Sequence, residues 1–310
     1  MDRISTASAY NSILNNLMAA EVAQTTAGNQ LSSTEKATDL KGYGAGAETL
    51  TAMQATNTQV TGFINDATAV SAKLSTQDSA LGEVASSAGS AIQAVTQALA
   101  AGTCSGLMQS LQDAFGNAVE GLNTTYNGEY LFAGGQVNTA PVSATSMSQL
   151  TSGPPISSFF HNDQLTTTSR INTNTKISSG FLADSVGTPL FGAFQTIQAY
   201  VDANGAFSTP LTTAQQTFLT AQLANLNTVQ TNLNSVVGQN GLMQDEVTNT
   251  QTDLTQRQTM LQGLIGNATS ADLAQASANL QQAGLSIQAA GQVFQALNAT
   301  SLLNTLSSNG

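Results

Sequence analysis

Side chains able to do chemistry are scarce in this sequence. His161 is the only histidine and Cys104 the only cysteine among 310 residues. A zinc site resting on two histidines cannot form within one such chain, and no His-Glu-x-x-His stretch occurs. His161-Asn162-Asp163 could set a base beside a carboxylate, but next to Phe159 and Phe160 it reads as a surface loop. Cys104 reads as a small apolar filler near a helix end, and a single thiol excludes an internal disulfide framework. Asp245-Glu246 fits the solvated face of a helix. Gly42-Tyr43-Gly44-Ala45-Gly46 superficially matches a phosphate-cradling loop, yet no strand precedes it and no Lys-Ser/Thr follows, so it reads as a flexible hinge. Gly134-Gly135 reads as a turn. Asn123-Thr124-Thr125 and Asn298-Ala299-Thr300 match a glycosylation pattern that Asn- and Thr-rich sequence produces by chance. No catalytic, cofactor-binding or metal-ligating set is expected, and a hydrolase centred on His161 is the sole enzymatic rival.

What must position any functional surface is a set of long helices. Only 8% of the chain is charged while 41% is hydrophobic, against about a quarter charged in ordinary globular chains. Neutral polar surface from Gln, Asn, Ser and Thr lets subunits pack densely without desolvating many charges. The net charge of −11, from seven basic and eighteen acidic residues, disfavours nucleic acid and anionic membrane as partners. No run approaches the ~20 apolar residues of a membrane span. Residues 1–20 read as an amphipathic helix, not a cleavable signal, so departure from the cell would need a route without signal cleavage.

Heptad periodicity carries the architecture. Met53, Val60, Ala67, Leu74, Leu81, Ala88 and Val95 form one seam, predicting a helix over roughly 47–100. Leu219, Leu226, Leu233, Asn240, Val247, Leu254 and Leu261 form a second, with Asn240-Gly241 read as a kink or polar register device. The two are natural antiparallel partners. Shorter seams mark both ends: Tyr10, Ile13, Leu17, Ala20, Ala27 and Leu31, and Leu273, Leu280, Ile287 and Phe294. Thr269 to Asp272 fits a capping box that starts the last helix. Gly102 to Gly106 breaks the first rod, and a helix follows to about Asn123. Asn127-Gly128 is a hairpin turn, with Glu129 to Phe132 read as a strand. Three prolines and short β-branched runs mark residues 133–187 as a small β-rich insert. A helix near Pro189 to Asp202 leads back, and Thr209-Pro210 opens the second rod. The expected fold is mainly α, with long antiparallel coiled-coil-like rods, paired terminal helices and that insert. Its segments are 1–46, 47–132, 133–187, 188–266 and 267–310. The terminal seams, loosened from the rods at Gly42–Gly46 and Gly263–Gly266, read as surfaces for neighbours.

Three segments stand out as motifs. The first runs from Arg3-Ile4-Ser5-Thr6 through Leu14 to Gln30-Leu31-Ser32-Ser33. The second runs from Ala271-Asp272-Leu273-Ala274-Gln275-Ala276 through Gln288-Ala289-Ala290 and Phe294 to Ser301-Leu302-Leu303-Asn304-Thr305-Leu306. The most specific is Tyr126-Asn127-Gly128-Glu129-Tyr130-Leu131-Phe132-Ala133-Gly134, whose Asn127, Gly128, Tyr130, Phe132 and Gly134 open the insert. Together they resemble the flagellin superfamily, and within it the hook-associated protein of the hook–filament junction (FlgL type). In place of the family's Ser/Thr-Gly-Lys and Asp-Asp-Pro stand Ser33-Thr34-Glu35-Lys36 and Asp39 to Gly46.

The resemblance implies a structural subunit of the extracellular flagellum, exported unfolded through the flagellar type III apparatus. It would form the junction ring on which flagellin polymerises; a filament flagellin, or another type III-secreted structural protein, is the alternative. Implied partners are copies of itself, the preceding hook-associated protein, flagellin, and an export chaperone on the C-terminal helix. The terminal helices would form an inner tube with the insert facing outward. They are expected to be largely disordered in the free subunit and to order on joining neighbours. The expected assembly interface is Ile13, Leu14, Leu17, Leu31, Leu273, Leu280, Ile287, Phe294, Leu297, Leu302 and Leu303.

Overall fold

The computed structural model describes residues 2–307, with side chains over 8–297. Six helices dominate: α1 (Asp2–Ser33), α2 (Ala47–Ala101), α3 (Leu107–Leu122), α4 (Ala183–Asn204), α5 (Thr213–Thr269) and α6 (Leu273–Ser307). Strands β1 (Thr125–Tyr126) and β2 (Glu129–Tyr130) form one two-stranded sheet, β3 (Thr168–Arg170) and β4 (Lys176–Ser178) another. The backbone divides into two compact units, Met1–Gln59 with Arg257–Gly310, and Val60–Gln256.

Within the unit 60–256, α2 and α5 run antiparallel along their predicted seams. Val60, Ala67, Leu74, Leu81, Ala88 and Val95 are all buried, as are Leu219, Leu226, Leu233, Val247 and Leu254. Leu211 N–H donates to the Gly102 carbonyl at 2.9 Å, and Gln251 Nε2 donates to Thr68 Oγ1 at 2.9 Å, fixing the register at both ends. Between them lies a polar layer. Asn240, fully buried, accepts from Gln77 Nε2 at 3.0 Å and donates to the Leu74 carbonyl and Asp78 Oδ1, both at 3.1 Å. Asn240 is the register device of the two alternatives, because α5 runs through it unbroken. A one-heptad slip would leave these amides facing leucines, with unmade hydrogen bonds costing ~1–3 kcal/mol each.

Helices α3 and α4 complete the core. Gly102 (φ +65°) and Gly106 (φ +80°) take the left-handed backbone that turns the chain from α2 into α3. Phe115, fully buried, meets Phe191 and Phe194 at centroid distances of 4.9 and 5.6 Å. The 133–182 segment contributes to the same core through Val142, Ala144, Met147, Leu150 and Phe160. Its β3–β4 hairpin presses Ile171 and Ile177 onto Ala67, Val70, Leu74 and Val247. Strand pairing is thus confined to short hairpins, and much of the insert is 3-10 turn and loop held by its buried side chains.

In the other unit α1 and α6 pack against each other. An antiparallel bridge between Glu35 and Ser270 closes their loop end, where Lys36 N–H reaches the Thr269 carbonyl at 2.7 Å and Ala271 N–H the Thr34 carbonyl at 2.9 Å. Three local expectations change here. The Gly42–Gly46 stretch, read as a flexible hinge, lies in a 3-10 segment, Leu40–Gly46, kinked at Gly44 (φ +53°, ψ −128°); Asp39 caps it through Gly42 N–H at 2.9 Å, and the Tyr43 hydroxyl donates to the Ala37 carbonyl. Gly263 and Gly266 do not interrupt α5, since a helix of 57 residues tolerates the ~1 kcal/mol cost of each glycine. The capping box is also displaced. Thr269 and Ser270 hydroxyls bond backward to α5 carbonyls, and Asp272 itself caps α6, its Oδ1 accepting from Ala274 and Gln275 N–H at 3.0 Å.

Candidate assembly surface

The fully buried contacts of the α1–α6 pair are alanines: Ala20, Ala27, Ala276 and Ala283. Small residues let two helices approach but remove little surface, about 0.8 kcal/mol per methyl-sized group. The larger apolar side chains are only partly covered. Ile13, Leu17, Leu31, Leu280, Ile287 and Leu297 are half-buried, and Leu14, Leu273 and Phe294 remain 53%, 45% and 43% exposed. The Phe294 ring meets Tyr10 edge-on at 5.1 Å. Leu302 and Leu303 fall outside the described side chains.

Sequence reasoning missed part of this face. Met18 and Val22 follow Leu14 at four-residue spacing and are exposed, as are Leu285 and Val293 on α6. Their signal was present: steps of four on α1, read one residue round from the Ile13–Leu17 seam, make a second apolar stripe. An amphipathic helix that buries one stripe on its partner and leaves another in water is a helix prepared for a further neighbour. Shallow grooves between α1 and α6 are lined by Ala20, Ala27 and Ala283 and by Ile13, Ala290 and Val293.

The second place where the predicted residues converge is the mouth of the insert, within the unit 60–256. Asn127 (φ +53°) and Gly128 (φ +85°) form the two-residue turn of the β1–β2 hairpin, pairing Tyr126 with Glu129 and Thr125 with Tyr130. The strand stops at Tyr130 rather than continuing to Phe132, because Leu131 and Phe132 turn into the core and are buried. The Phe132 carbonyl accepts from Ala183 N–H at 3.0 Å, tying the motif to the first turn of α4. Gly134 has φ +67°, and a Cβ there would lie 2.3 Å from Asp163 Oδ1. Asp163 Oδ1 in turn accepts from Gly135 N–H at 2.7 Å and Leu165 N–H at 2.9 Å.

Asp163 therefore belongs to the folding of this motif. The backbone hydrogen bonds from Gly135 and Leu165 lower its carboxyl below the usual value. A lowered folded-state value means the contribution is present above the ordinary aspartate range and is lost as pH falls through the folded one. Asp163→Ala should open the 134–165 contact selectively, seen as faster amide exchange at Gly135 and Leu165, while Asp163→Asn at neutral pH retains most of the protection. Equal exchange in all three proteins would show that the carboxylate does not hold the loop.

The remaining candidates are structural or solvent-facing. His161 is exposed, and its backbone N–H donates to the Pro141 carbonyl at 2.9 Å. Cys104 is half-buried against the core, and burial raises its thiol above the usual value. Asn123 is not a free acceptor for sugar: Nδ2 donates to the Val142 carbonyl at 2.9 Å and Oδ1 accepts from Val142 N–H at 3.0 Å. Lys73 lines a cavity of ≈ 350 Å³ with Tyr126, Glu129 and Thr167; burial lowers its ammonium below the usual value and Glu129 opposes that shift. Among the described residues no group of three His, Cys, Asp or Glu could hold a metal ion. Among them, too, no helix is long and apolar enough to cross a membrane.

Residues 4–137 match the family model of the bacterial flagellin N-terminal helical region, a stretch that spans α1, α2 and α3 and ends just beyond the Gly134-Gly135 turn. No curated protein sequence matches. Two solved structures share the fold at 14% identity. One, from Vibrio parahaemolyticus and described as a flagellar hook-associated protein, aligns with a TM-score of 0.60 over 72% of this chain and 97% of its own. The other, Bacillus cereus FlgL, aligns with a TM-score of 0.56 over 69% of this chain and 99% of its own. Residues 4–137 thus match the bacterial flagellin N-terminal helical region, in a chain whose fold is similar to that of these two flagellar proteins.

Proposed function

We propose that this chain is a non-catalytic structural subunit of the bacterial flagellum that forms the junction ring between hook and filament, on which flagellin polymerises. The observation that carries the reading is the α1–α6 pair, held together through alanines while Leu14, Leu273 and Phe294 stay largely in water. Such a pair is marginal alone, since long helices in water depend on burying their apolar faces. Copies of the chain, the preceding hook-associated protein and flagellin supply the missing cover. An export chaperone shields α6 beforehand, and the chain leaves unfolded through the flagellar type III apparatus. Ile13, Leu17, Leu280, Ile287 and Phe294 form the working seam, with Leu14, Leu31, Leu273, Leu297, Leu302 and Leu303 around it. Ordering of the terminal helices is coupled to assembly, its cost offset by burial of that seam.

The flagellin match over residues 4–137 favours one second reading, a filament flagellin. A fluorescently labelled copy expressed in motile cells separates the two. The junction reading expects a single band at the filament base; label along the whole filament makes the chain a flagellin, and label absent from flagella removes both.

A further inference from the structure

The cations of this acidic chain are unevenly placed. Only seven lysines and arginines occur, and two of them, Arg170 and Lys176, are directly paired across the β3–β4 hairpin. Alternation along the strands turns Ile171 and Ile177 inward and leaves Arg170 and Lys176 on the exposed outer face. Like charges opposite one another destabilise a hairpin. The guanidinium of Arg170 is nonetheless held in place, donating to the carbonyls of Asn172 and Thr173 in the hairpin's own turn. Neither cation is ion-paired with a carboxylate among the described residues. A positive pair, with Arg170 held in place, is thus kept at a local cost on a chain of net charge −11.

The same unit carries the complementary feature. Helix α3 approaches α2 closely at Gly121, where a Cβ would lie 2.9 Å from Val84 Cγ2 and 3.0 Å from the Ala80 carbonyl. This approach brings Glu120 of α3 beside Glu83 of α2, both exposed. Burial first, and then the Glu120 charge, raise the Glu83 carboxyl above the usual value, so the pair repels itself. The hairpin seats on Ala67, Val70 and Leu74, whereas Glu83 lies thirteen residues beyond Val70 on the same helix. At ~1.5 Å per residue the two patches are about 20 Å apart along α2.

We propose that the Arg170–Lys176 face of the β3–β4 hairpin docks on the Glu83–Glu120 pair of a second copy, a contact separate from the terminal helices that sets the axial stagger of neighbouring subunits. The surfaces differ from each other, so the contact is head-to-tail and propagates around a ring or helix instead of closing a two-fold dimer. Opposed charges of this kind fix register and reject misaligned neighbours more than they add affinity. The inference rests on the self-assembly reading but has its own test.

Two charge reversals are made in the full-length chain, Arg170→Glu with Lys176→Glu, and Glu83→Lys with Glu120→Lys. Each is expected to lower the amount of protein retained in isolated flagella by at least about tenfold, equivalent to ~1.4 kcal/mol per contact. All four substitutions together should return it to within about twofold of the parent. Unfolding midpoints of the purified variants confirm that these exposed sites leave the fold intact. A second arm places cysteines at Lys176→Cys and Glu83→Cys in a Cys104→Ser background, where oxidation of flagella should give a ladder of disulfide-linked copies. Normal retention of either reversal, no recovery in the fourfold variant, or no ladder would overturn the docking contact. Each of those results leaves the junction reading standing, whereas absence of the parent protein from flagella removes that reading.

Discussion

Phe294→Ala is expected to abolish incorporation into flagella while leaving the unit 60–256 folded. In the α1–α6 pair the Phe294 ring is 43% exposed and meets Tyr10 edge-on at 5.1 Å. Truncation there costs the pair itself no more than the ~0.5–1.5 kcal/mol of an aromatic contact and part of its area. In the assembled state the ring is covered by neighbours, and removing a buried phenylalanine costs about 3–5 kcal/mol. That difference, about 1.5–4.5 kcal/mol, is a factor of about ten to a thousand in each subunit contact, at ~1.4 kcal/mol per tenfold. The measurement is the flagellar fraction of the protein together with motility, with circular dichroism of the purified chain as the folding control. A variant that assembles normally in a motile cell contradicts the inner-tube assignment.

The largest stability effect is expected at Phe115→Ala, with a loss of about 3–5 kcal/mol. Phe115 is fully buried and its ring is enclosed by Phe191 and Phe194, which pack α4 on α3. Phe191 also meets Phe160 of the insert at 5.2 Å, so the vacancy reaches helices and insert together. No neighbour is free to fill it, because Leu111, Ala118 and Leu122 along the same face of α3 are themselves buried. Against a total domain stability of ~5–15 kcal/mol, this loss threatens folding at physiological temperature. Denaturant unfolding of the purified variant checks it. A cost below about 1.5 kcal/mol would mean that the aromatic cluster is not the centre of the core, given the usual range for such truncations.

The helices were legible wherever apolar residues repeat at a fixed interval. The expected rod over 47–100 became α2, Ala47–Ala101, because seven-residue steps from Val60 to Val95 have only one periodicity that buries them. Asn127-Gly128 likewise announced its turn, since few other dipeptides accept two positive φ values. Glycine outside turns misled. Gly263 and Gly266 were read as loosening the last segment from its rod, but α5 continues through both to Thr269, because propensity is a weak signal inside a helix that buries Leu254 and Leu261. The expected cap at Thr269 failed because hydroxyls compete for helix carbonyls four residues back, which leaves Asp272 to cap α6.

Contacts distant in sequence were not legible. Nothing in His161-Asn162-Asp163 announces that Asp163 will hold Gly135 N–H, 28 residues away. Thr34 takes the left-handed backbone, φ +61°, although it carries a β-branched side chain. The Glu35–Ser270 bridge and its two hydrogen bonds hold that turn. The exposed stripe of Leu14, Met18 and Val22 was visible as spacing, but only the structure separates a stripe covered by α6 from one that is not.

At the centre of the account is a helix pair whose intended cover is other subunits. Amide exchange of the soluble, unassembled protein tests it most directly. Exchange over α1 and α6 is predicted to be fast, with α3, α4 and the 60–101 stretch of α2 protected, and protection of α1 and α6 should appear only in isolated flagella. Strong protection of both terminal helices in the lone monomer would contradict the account, because the pair would then be stable without the neighbours it is held to need.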